Sequence, residues 1–167
     1  KYLRQFLMDG RVININPFLR FILVNFIICP TRSFSSTKVY KEVWDKNTGS
    51  PLLHNTTKLA EKLVNKVEDY DVYFAMRYQN PSIESVINKI LETNPDEITV
   101  LPLFPHYAAA TTGSVYQEIS RVISKKWVVP NIRFINQFYD NEKFIDAWVD
   151  KASKFNLNTY DKVIFSY

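Results

Sequence analysis

Cationic, aromatic and hydroxyl side chains come together in three short segments of this sequence. Arg77 and Tyr78 follow one apolar run, and His106 and Tyr107 follow another. Residues 111–114 read Thr-Thr-Gly-Ser just ahead of a predicted helix, where backbone N–H groups and hydroxyls suit a carboxylate or a phosphate. A guanidinium pairs well with the same anions. The three segments together predict an aromatic, mildly cationic binding cleft.

Each of these features also has an ordinary structural explanation. A plain helix cap explains residues 111–114 better than an anion site does, because Ser and Thr are the usual cap residues. His106 and His54 lie on different segments, so a hydrogen-bonded wall position suits His106 better than a metal-ligand role. Arg77, and Arg32 in another polar segment, fit a surface position as well as a ligand contact. Walker and dinucleotide glycine fingerprints are both absent from the sequence, so nucleotide binding has little support.

The elements that would position these residues alternate between strand and helix from residue 71 onward. Strands are predicted over residues 71–77, 97–104, 131–138 and 162–167, and helices over residues 81–92, 114–125 and 142–154. This alternation is typical of a parallel sheet with helical crossovers, so the predicted fold class is α/β. Ligands of such sheets bind beyond the carboxyl ends of the strands, which is where Arg77 and residues 105–114 lie.

Residues 1–67 are predicted to be mainly helical. Helices are predicted over residues 2–8, 17–28, 38–44 and 58–67, with a polar loop over residues 30–37. Residues 17–29 are strongly apolar, but Arg20 and Asn25 interrupt them, and they are fewer than the roughly 20 residues that span a bilayer. The residues alone favour a buried core helix, and an apolar pocket lip or interfacial anchor is the alternative.

The composition fits an ordinary folded domain, with 46% hydrophobic and 23% charged residues. The 21 basic and 17 acidic residues leave a net charge of +4, and the basic residues are scattered, so no nucleic-acid partner is expected. The single cysteine, Cys29, excludes an internal disulfide and a cysteine-based structural zinc site, and it indicates a reducing compartment. Because the sequence starts at Lys1 and stops at Tyr167 within an apolar run, we expect a fragment cut at both ends.

Five segments of the sequence resemble the ferrochelatase family, in the family's order and spacing. They read YLRQFLMDGRVI from residue 2, NTGSPLL from residue 47, AMRYQNPSIESVI from residue 75, ITVLPLFPHYAAATTGSVYQEI from residue 98 and VIFSY from residue 163. The fourth is the most specific, since it is similar to the family's LPLYPQYS-x-x-TTG stretch. The last looks like the lead into the family's SYHG signature. The sequence therefore resembles the N-terminal portion of a ferrochelatase.

The resemblance implies a chelatase fold of two similar halves with a porphyrin cleft between them. Each half is a Rossmann-like α/β domain of three layers, with a parallel sheet flanked by helices. Residues 1–167 would form most of the first half, without its opening strand. The family enzyme inserts ferrous iron into protoporphyrin IX to make haem, with loss of two pyrrole protons. Its catalytic histidine and partner acid would lie beyond Tyr167. We therefore expect no catalytic residue and no metal ligand in this chain, and an inactive fragment.

The resemblance also implies roles for the wall and the rim of the cleft. Residues 17–37 resemble the apolar lip through which the family meets the membrane, which reverses the preference for a core helix. The implied porphyrin contacts are Arg32, Ser50, Arg77, Tyr78, His106, Tyr107, Thr111 and Thr112. The implied membrane contacts are Phe18, Phe21, Ile22 and Phe26.

Further expectations concern cofactors, partners and location. Some family members hold an iron–sulfur cluster partly through a cysteine at the position of Ala108, Ala109 and Ala110 in this sequence. We therefore expect no cluster and no required cofactor. The expected partners are a porphyrin and a membrane surface, and the expected location is the cytoplasm, at the periphery of the inner membrane.

Three alternatives stay open at this point. The enzyme could act on coproporphyrin instead of protoporphyrin. A chelatase of the same fold could insert cobalt or nickel into another tetrapyrrole, although such an enzyme would be expected to carry more histidines than His54 and His106. A non-catalytic tetrapyrrole-binding module would need only the wall of the cleft.

Overall fold

The computed structural model describes residues 2–164. Three short segments have other helical geometry: Leu23–Ile28 and Ala109–Gly113 are wider π-helical turns, and Leu157–Thr159 is a 3-10 turn. The α-helices and strands are α1 (Tyr2–Met8), α2 (Pro17–Ile22), α3 (Cys29–Val43), α4 (Pro51–Val64), α5 (Ile83–Leu91), β1 (Glu97–Val100), α6 (Ser114–Ile123), β2 (Asn131–Phe134) and α7 (Glu142–Ser153).

A small parallel sheet confirms the α/β class. Strand β1 pairs with β2 in parallel, with Glu97 opposite Asn131 and Val100 opposite Phe134, and α6 lies between the two strands in the chain. Both strands are shorter than predicted. Beyond β1, Pro102 and Pro105 have no N–H to donate, so the ladder cannot continue regularly.

The predicted strand over residues 71–77 is wrong. The segment makes only an isolated bridge, in which the Met76 N–H donates to the Pro81 carbonyl at 2.7 Å. Both this segment and β1 line a cavity of about 1450 Å³, and the sheet in the described residues pairs β1 with β2. Of the last predicted strand, residues 162–164 form none, and residues 165–167 lie outside the described residues.

The core lies where α5 and α6 pack together over the sheet. Ser82 caps α5 by accepting a hydrogen bond from the Ser85 N–H, and Ile83 and Ile87 follow on one helical face. Helix α6 is strongly amphipathic and turns its apolar face toward them. The buried cluster is Ile83, Ile87, Ile119, Val122 and Ile123.

One long helix, Pro17–Val43, replaces two predicted helices and the loop between them. It comprises α2, the π-helical turn and α3. The predicted loop over residues 30–37 is wrong because Pro30 stands in the first turn of α3, where a missing N–H is tolerated. The Thr31 and Thr37 hydroxyls donate back to the Ile27 and Ser33 carbonyls, each at 2.7 Å, so these polar residues are accommodated within the helix.

The length and exposure of this helix correct two expectations. Its 27 residues are long and apolar enough, by length and composition alone, to cross a membrane, whereas the sequence suggested a shorter segment. Soluble core helices and signal sequences can pass the same test. The core interpretation is also wrong, because Val24 is the one buried residue in Pro17–Ile22 and Leu23–Ile28.

Candidate ligand-binding cleft

Arg77 and Tyr78 are held by a buried carboxylate, that of Asp9. Arg77 Nη2 lies 2.8 Å from Asp9 Oδ2, and the Tyr78 hydroxyl donates to the same oxygen at 2.9 Å. The Ser114 hydroxyl donates to Oδ2 as well. The other oxygen, Oδ1, accepts the Arg11 backbone N–H at 2.8 Å. Both oxygens of Asp9 are thus engaged by protein donors.

Burial makes these bonds important. The Asp9 side chain is 4% exposed and that of Arg77 is 22% exposed, and a buried charge needs partners to replace the water it loses. Burial by itself raises the pKa of Asp9. Hydrogen bonds from Ser114, the Arg11 N–H and Tyr78, with the charge of Arg77, outweigh it and hold that pKa below its usual value. Asp9 is therefore an anion at neutral pH.

Tyr78 stays protonated in this setting and acts as a donor. Burial raises the pKa of its phenol, the adjacent Asp9 charge raises it further, and a hydrogen bond with Ser114 opposes this. The Phe6 ring meets the Tyr78 ring edge-on at 5.4 Å, and Arg77 Cζ lies 4.7 Å from the centroid of the Tyr78 ring. Packing and charge together fix the orientation of the tyrosine.

Three distant parts of the chain build this cluster. Asp9 directly follows α1, Arg77 follows the extended segment ahead of α5, and Ser114 begins α6. Arg77 Nε donates to the Ser114 hydroxyl at 2.7 Å and to the Ser114 carbonyl at 3.2 Å. The cluster therefore joins the start of the chain to the edge of the core.

The cavity beside this cluster holds half of the eight predicted porphyrin contacts. Ser50, Arg77, Tyr78 and Thr111 all line it. Its volume of about 1450 Å³ exceeds that of an ordinary small-molecule pocket, which is about 300–1,000 Å³. The remaining walls are largely apolar and include Tyr2, Phe6, Tyr40, Trp44 and Leu52.

Ser50 has a structural task at the edge of this cavity. It caps α4, and its hydroxyl accepts the Leu53 N–H at 3.4 Å. Gly49 makes the preceding turn with φ +75°, a conformation that a glycine adopts without strain. Helix α4 therefore begins seven residues earlier than the predicted start at residue 58, and Ser50 is placed by the cap.

Three other predicted contacts do not line the large cavity: His106, Tyr107 and Thr112. The His106 ring stacks on Tyr139, with centroids 4.9 Å apart. The Tyr107 hydroxyl lies near Gly113, where an added Cβ would come within 3.1 Å of it. Thr112 is fully buried, and its hydroxyl makes no hydrogen bond.

The predicted side-chain cap at residues 111–114 is wrong. Helix α6 begins at Ser114 with Gly113 as its cap residue, and this cap makes no side-chain hydrogen bond. The Thr111 hydroxyl lies 3.3 Å from the Ala108 carbonyl, within the π-helical turn. The Ser114 hydroxyl donates to Asp9 instead.

Arg32 lies apart from Arg77. It stands on α3, not in a loop, and is exposed beside a shallow concavity of about 310 Å³. Ser35, Ser36 and Val39 line the same concavity, and Tyr40 lines both it and the large cavity. Arg77 therefore lines the large cavity and Arg32 the smaller concavity, and Tyr40 borders both.

The predicted lip residues form an exposed apolar surface on the long helix. Phe18 and Phe26 are 69% and 68% exposed, and Phe21 and Ile22 are also exposed. The Phe21 and Phe26 rings meet edge-on at 6.2 Å. Within residues 2–164, no group of three or more His, Cys, Asp or Glu side chains is placed to hold a metal ion.

Sequence reasoning missed Asp9 and did not connect Ser114 to Arg77. Asp9 stands at the end of an apolar helix and before a glycine, a pattern that indicates only a turn. Sequence separations of 68 and 105 residues divide Asp9 from Arg77 and from Ser114. Tertiary structure alone shows that the three form one cluster.

Comparison with known proteins accounts for the whole chain. The family model described as Ferrochelatase matches residues 1–167. Proteins named ferrochelatase from Francisella tularensis subsp. novicida (strain U112) and subsp. tularensis (strain WY96-3418) are each 45% identical to it over 172 residues. These alignments cover 100% of this chain and 51% of each relative, so the chain spans about half the length of the curated relatives it matches. The chain therefore belongs to the ferrochelatase family.

Proposed function

We propose that this chain forms one half of the porphyrin cleft of an enzyme that inserts ferrous iron into protoporphyrin IX. In that reaction two pyrrole N–H protons leave as the metal enters, and haem is the product. The observation that carries the proposal is the family match over the whole chain. The geometry adds a large apolar cavity with a charged, hydrogen-bonded rim.

The cavity suits the chemistry of a porphyrin. The macrocycle is flat, apolar and larger than most ligands, and its two propionates are anions. Apolar walls favour the ring, and an arginine near the rim favours a carboxylate. We assign the ring-facing role to Arg77 and Tyr78, which line the cavity, and a propionate contact to the exposed Arg32.

The long helix is proposed to bring the cleft to a membrane. Phe18, Phe21, Ile22 and Phe26 are exposed along its first part, and exposed aromatic and aliphatic side chains partition into the interfacial region of a bilayer. A hydrophobic substrate could then enter the cleft from the lipid. We therefore propose a cytoplasmic protein at the periphery of the inner membrane.

Catalysis itself is assigned to groups outside this chain. His54 stands in α4 and His106 stacks on Tyr139, so neither is proposed as the acceptor of the pyrrole protons. A histidine directly after Tyr167, together with an acid from the other half of the enzyme, would serve that purpose. Ala108, Ala109 and Ala110 carry no metal-binding atoms, so no iron–sulfur cluster is proposed at this position.

The test is an anaerobic assay of the full-length protein with ferrous iron and protoporphyrin IX, followed by porphyrin absorbance. Conversion to haem supports the proposal. Faster conversion of coproporphyrin would indicate that coproporphyrin is the substrate. Turnover with cobalt or nickel but not with iron would indicate that the enzyme inserts a different metal. Porphyrin binding with no metal insertion would indicate a binding module. No binding of any porphyrin would overturn the proposal.

The contact assigned to Arg32 has its own control within the chain. Arg133 on β2 is also exposed, so Arg32→Ala and Arg133→Ala each remove an exposed arginine. We expect only Arg32→Ala to weaken porphyrin binding. A porphyrin that lacks propionates should bind equally to the wild type and to Arg32→Ala, and equal losses for both variants with protoporphyrin would contradict the assignment.

A further inference from the structure

We propose that Asp9 is a positioning residue of the cleft, whose buried carboxylate fixes the Arg77 guanidinium and the Tyr78 hydroxyl in the orientation that meets the porphyrin. This inference rests on the function proposed above and names a residue that the sequence motifs did not indicate. It assigns Asp9 no contact with the substrate.

The bonds around Arg77 leave one part of the guanidinium for a ligand. Nη2 bonds to Asp9, and Nε bonds to the hydroxyl and the carbonyl of Ser114. Among the hydrogen bonds of the described residues, none uses Nη1. Because Arg77 lines the cavity and its side chain is 22% exposed, the N–H groups that these bonds do not use, two on Nη1 and one on Nη2, are left for a ligand. Two fixed nitrogens define the plane of the group and therefore the direction of the third.

The same carboxylate oxygen sets the position of Tyr78. Its hydroxyl donates to Asp9 Oδ2, the atom that also pairs with Arg77. The tyrosine ring is then held between Phe6 and the guanidinium. One oxygen thus orients both residues that line the cavity at this point.

A carboxylate is the group that this arrangement requires. It accepts hydrogen bonds and donates none, so the donors of Arg77, Tyr78 and Ser114 can all converge on it. An asparagine has nearly the same shape but carries two N–H donors and no charge. The amide of an Asn at position 9 has two orientations. In one, its NH₂ group faces the donors of Arg77, Tyr78 and Ser114. In the other, its NH₂ group faces the Arg11 N–H, which then loses its acceptor. Asp9→Asn therefore disturbs the orientation of Arg77 and Tyr78 while the volume of the side chain at position 9 changes little.

The first test measures porphyrin affinity of the full-length protein by fluorescence quenching. We expect Asp9→Asn to bind protoporphyrin about tenfold more weakly than the wild type. The variant Asp9→Asn/Arg77→Ala/Tyr78→Phe should bind no more weakly than Arg77→Ala/Tyr78→Phe, because Asp9 acts only through the two residues that it orients. Additive losses, or an unchanged affinity in Asp9→Asn, would overturn the proposal. The matched control is Asp150→Asn. Asp150 is exposed, and its Oδ2 lies 3.7 Å from Lys154 Nζ.

A second test needs no porphyrin. The solvent exchange rate of the Arg77 Nε–H, followed by NMR, reports directly on how firmly the guanidinium is held. We expect this proton to exchange faster in Asp9→Asn and at the wild-type rate in Asp150→Asn. An unchanged rate in Asp9→Asn would contradict the positioning role, even if porphyrin affinity falls.

The two readouts separate the positioning role from the proposed function. If the wild type binds no porphyrin, the proposed function fails, and the Nε–H exchange rate decides whether Asp9 orients Arg77. If Asp9→Asn does not fold, Ser114→Ala replaces it, since this change removes the hydroxyl that bridges Asp9 and Arg77 Nε while both charges stay paired. Faster exchange and weaker porphyrin binding are expected there too, and wild-type values for both would overturn the proposal.

Discussion

The Asp9 cluster and the apolar lip of the long helix are opposite kinds of surface within one chain. In the Asp9 cluster, four donors surround a carboxylate that is 4% exposed. On the lip, Phe18 and Phe26 are more than two-thirds exposed and pack against little of the described chain. The cluster is completed by the chain itself, whereas the lip presents side chains to whatever surrounds the protein.

The Asp9 cluster should affect the stability of the fold, whereas the lip should affect what the protein binds. Removing a partner from a satisfied buried cluster leaves other groups unpaired, so the cost falls on folding. Removing an exposed apolar side chain costs the fold little and weakens only what binds there. Mutations in the two regions should therefore affect different measurements, and four experiments test this.

The largest effect is expected from Asp9→Ala, which leaves Arg77, Tyr78 and Ser114 without their shared acceptor. We expect the free energy of unfolding of the full-length protein to fall by about 4 kcal/mol in denaturant titrations. Asp150→Ala, which removes an exposed carboxylate, should change it by less than about 0.5 kcal/mol. Similar values for the two variants would mean that the Asp9 cluster contributes no more than a surface ion pair.

The next effect compares one residue type in the core and on the long helix. Ile119 is 3% exposed and Ile27 is 53% exposed. We expect Ile119→Ala to lower the free energy of unfolding by about 3 kcal/mol because it leaves a cavity in the core. Ile27→Ala should lower it by no more than about 0.5 kcal/mol. A large loss from Ile27→Ala would show that another part of the full-length protein buries the helix.

Acid should weaken the Asp9 cluster in a defined direction. The pKa of Asp9 is lowered in the folded state, so the unfolded chain binds its proton more readily. The contribution is therefore complete above the unfolded pKa of about 4 and is lost as the pH falls through the lower folded value. Melting temperatures measured across this range should fall less steeply for Asp9→Asn than for the wild type. Parallel curves would show that Asp9 is not the group that titrates.

The smallest effect on stability is expected at the lip. Phe21→Ser/Phe26→Ser should reduce co-sedimentation of the full-length protein with liposomes while shifting its melting temperature by no more than about 2 °C. The matched control, Trp127→Ser/Phe155→Ser, removes two aromatic residues that are also exposed but do not belong to the long helix. A large loss of stability with liposome binding intact would restore the core interpretation of this helix.

How far sequence predicted the fold depended on whether the signal was local. Helix α1 was predicted with its observed bounds, since its apolar spacing lies within seven residues. The loop over residues 30–37 was wrong because propensity and Pro30 suggested a break, whereas the π-helical turn before α3 allows the helix to continue. The strand over residues 71–77 was wrong because an apolar run indicates an extended segment but not a hydrogen-bonded neighbour.

The candidate site divides in the same way. Motif resemblance selected Arg77 and Tyr78, which do line the cavity, and it selected Ser50 and Thr111 beside them. His106, Tyr107 and Thr112 come from the most specific of the five motifs but do not line that cavity. Their porphyrin contacts stay predictions. Asp9 was missed because its partners are far away in the chain.

The sequence by itself determined the family, the α/β class, the amphipathic faces of α5 and α6, and the apolar character of residues 17–29. These features depend on residue order and local periodicity, and both can be taken directly from the sequence. Tertiary structure alone decided that Arg77 and Ser114 both donate to one carboxylate oxygen of Asp9. It also decided that the apolar helix lies on the surface, with Val24 buried. Hydrogen-bond partners and burial are relations between distant segments, and their energies exist only once folding has brought those segments together.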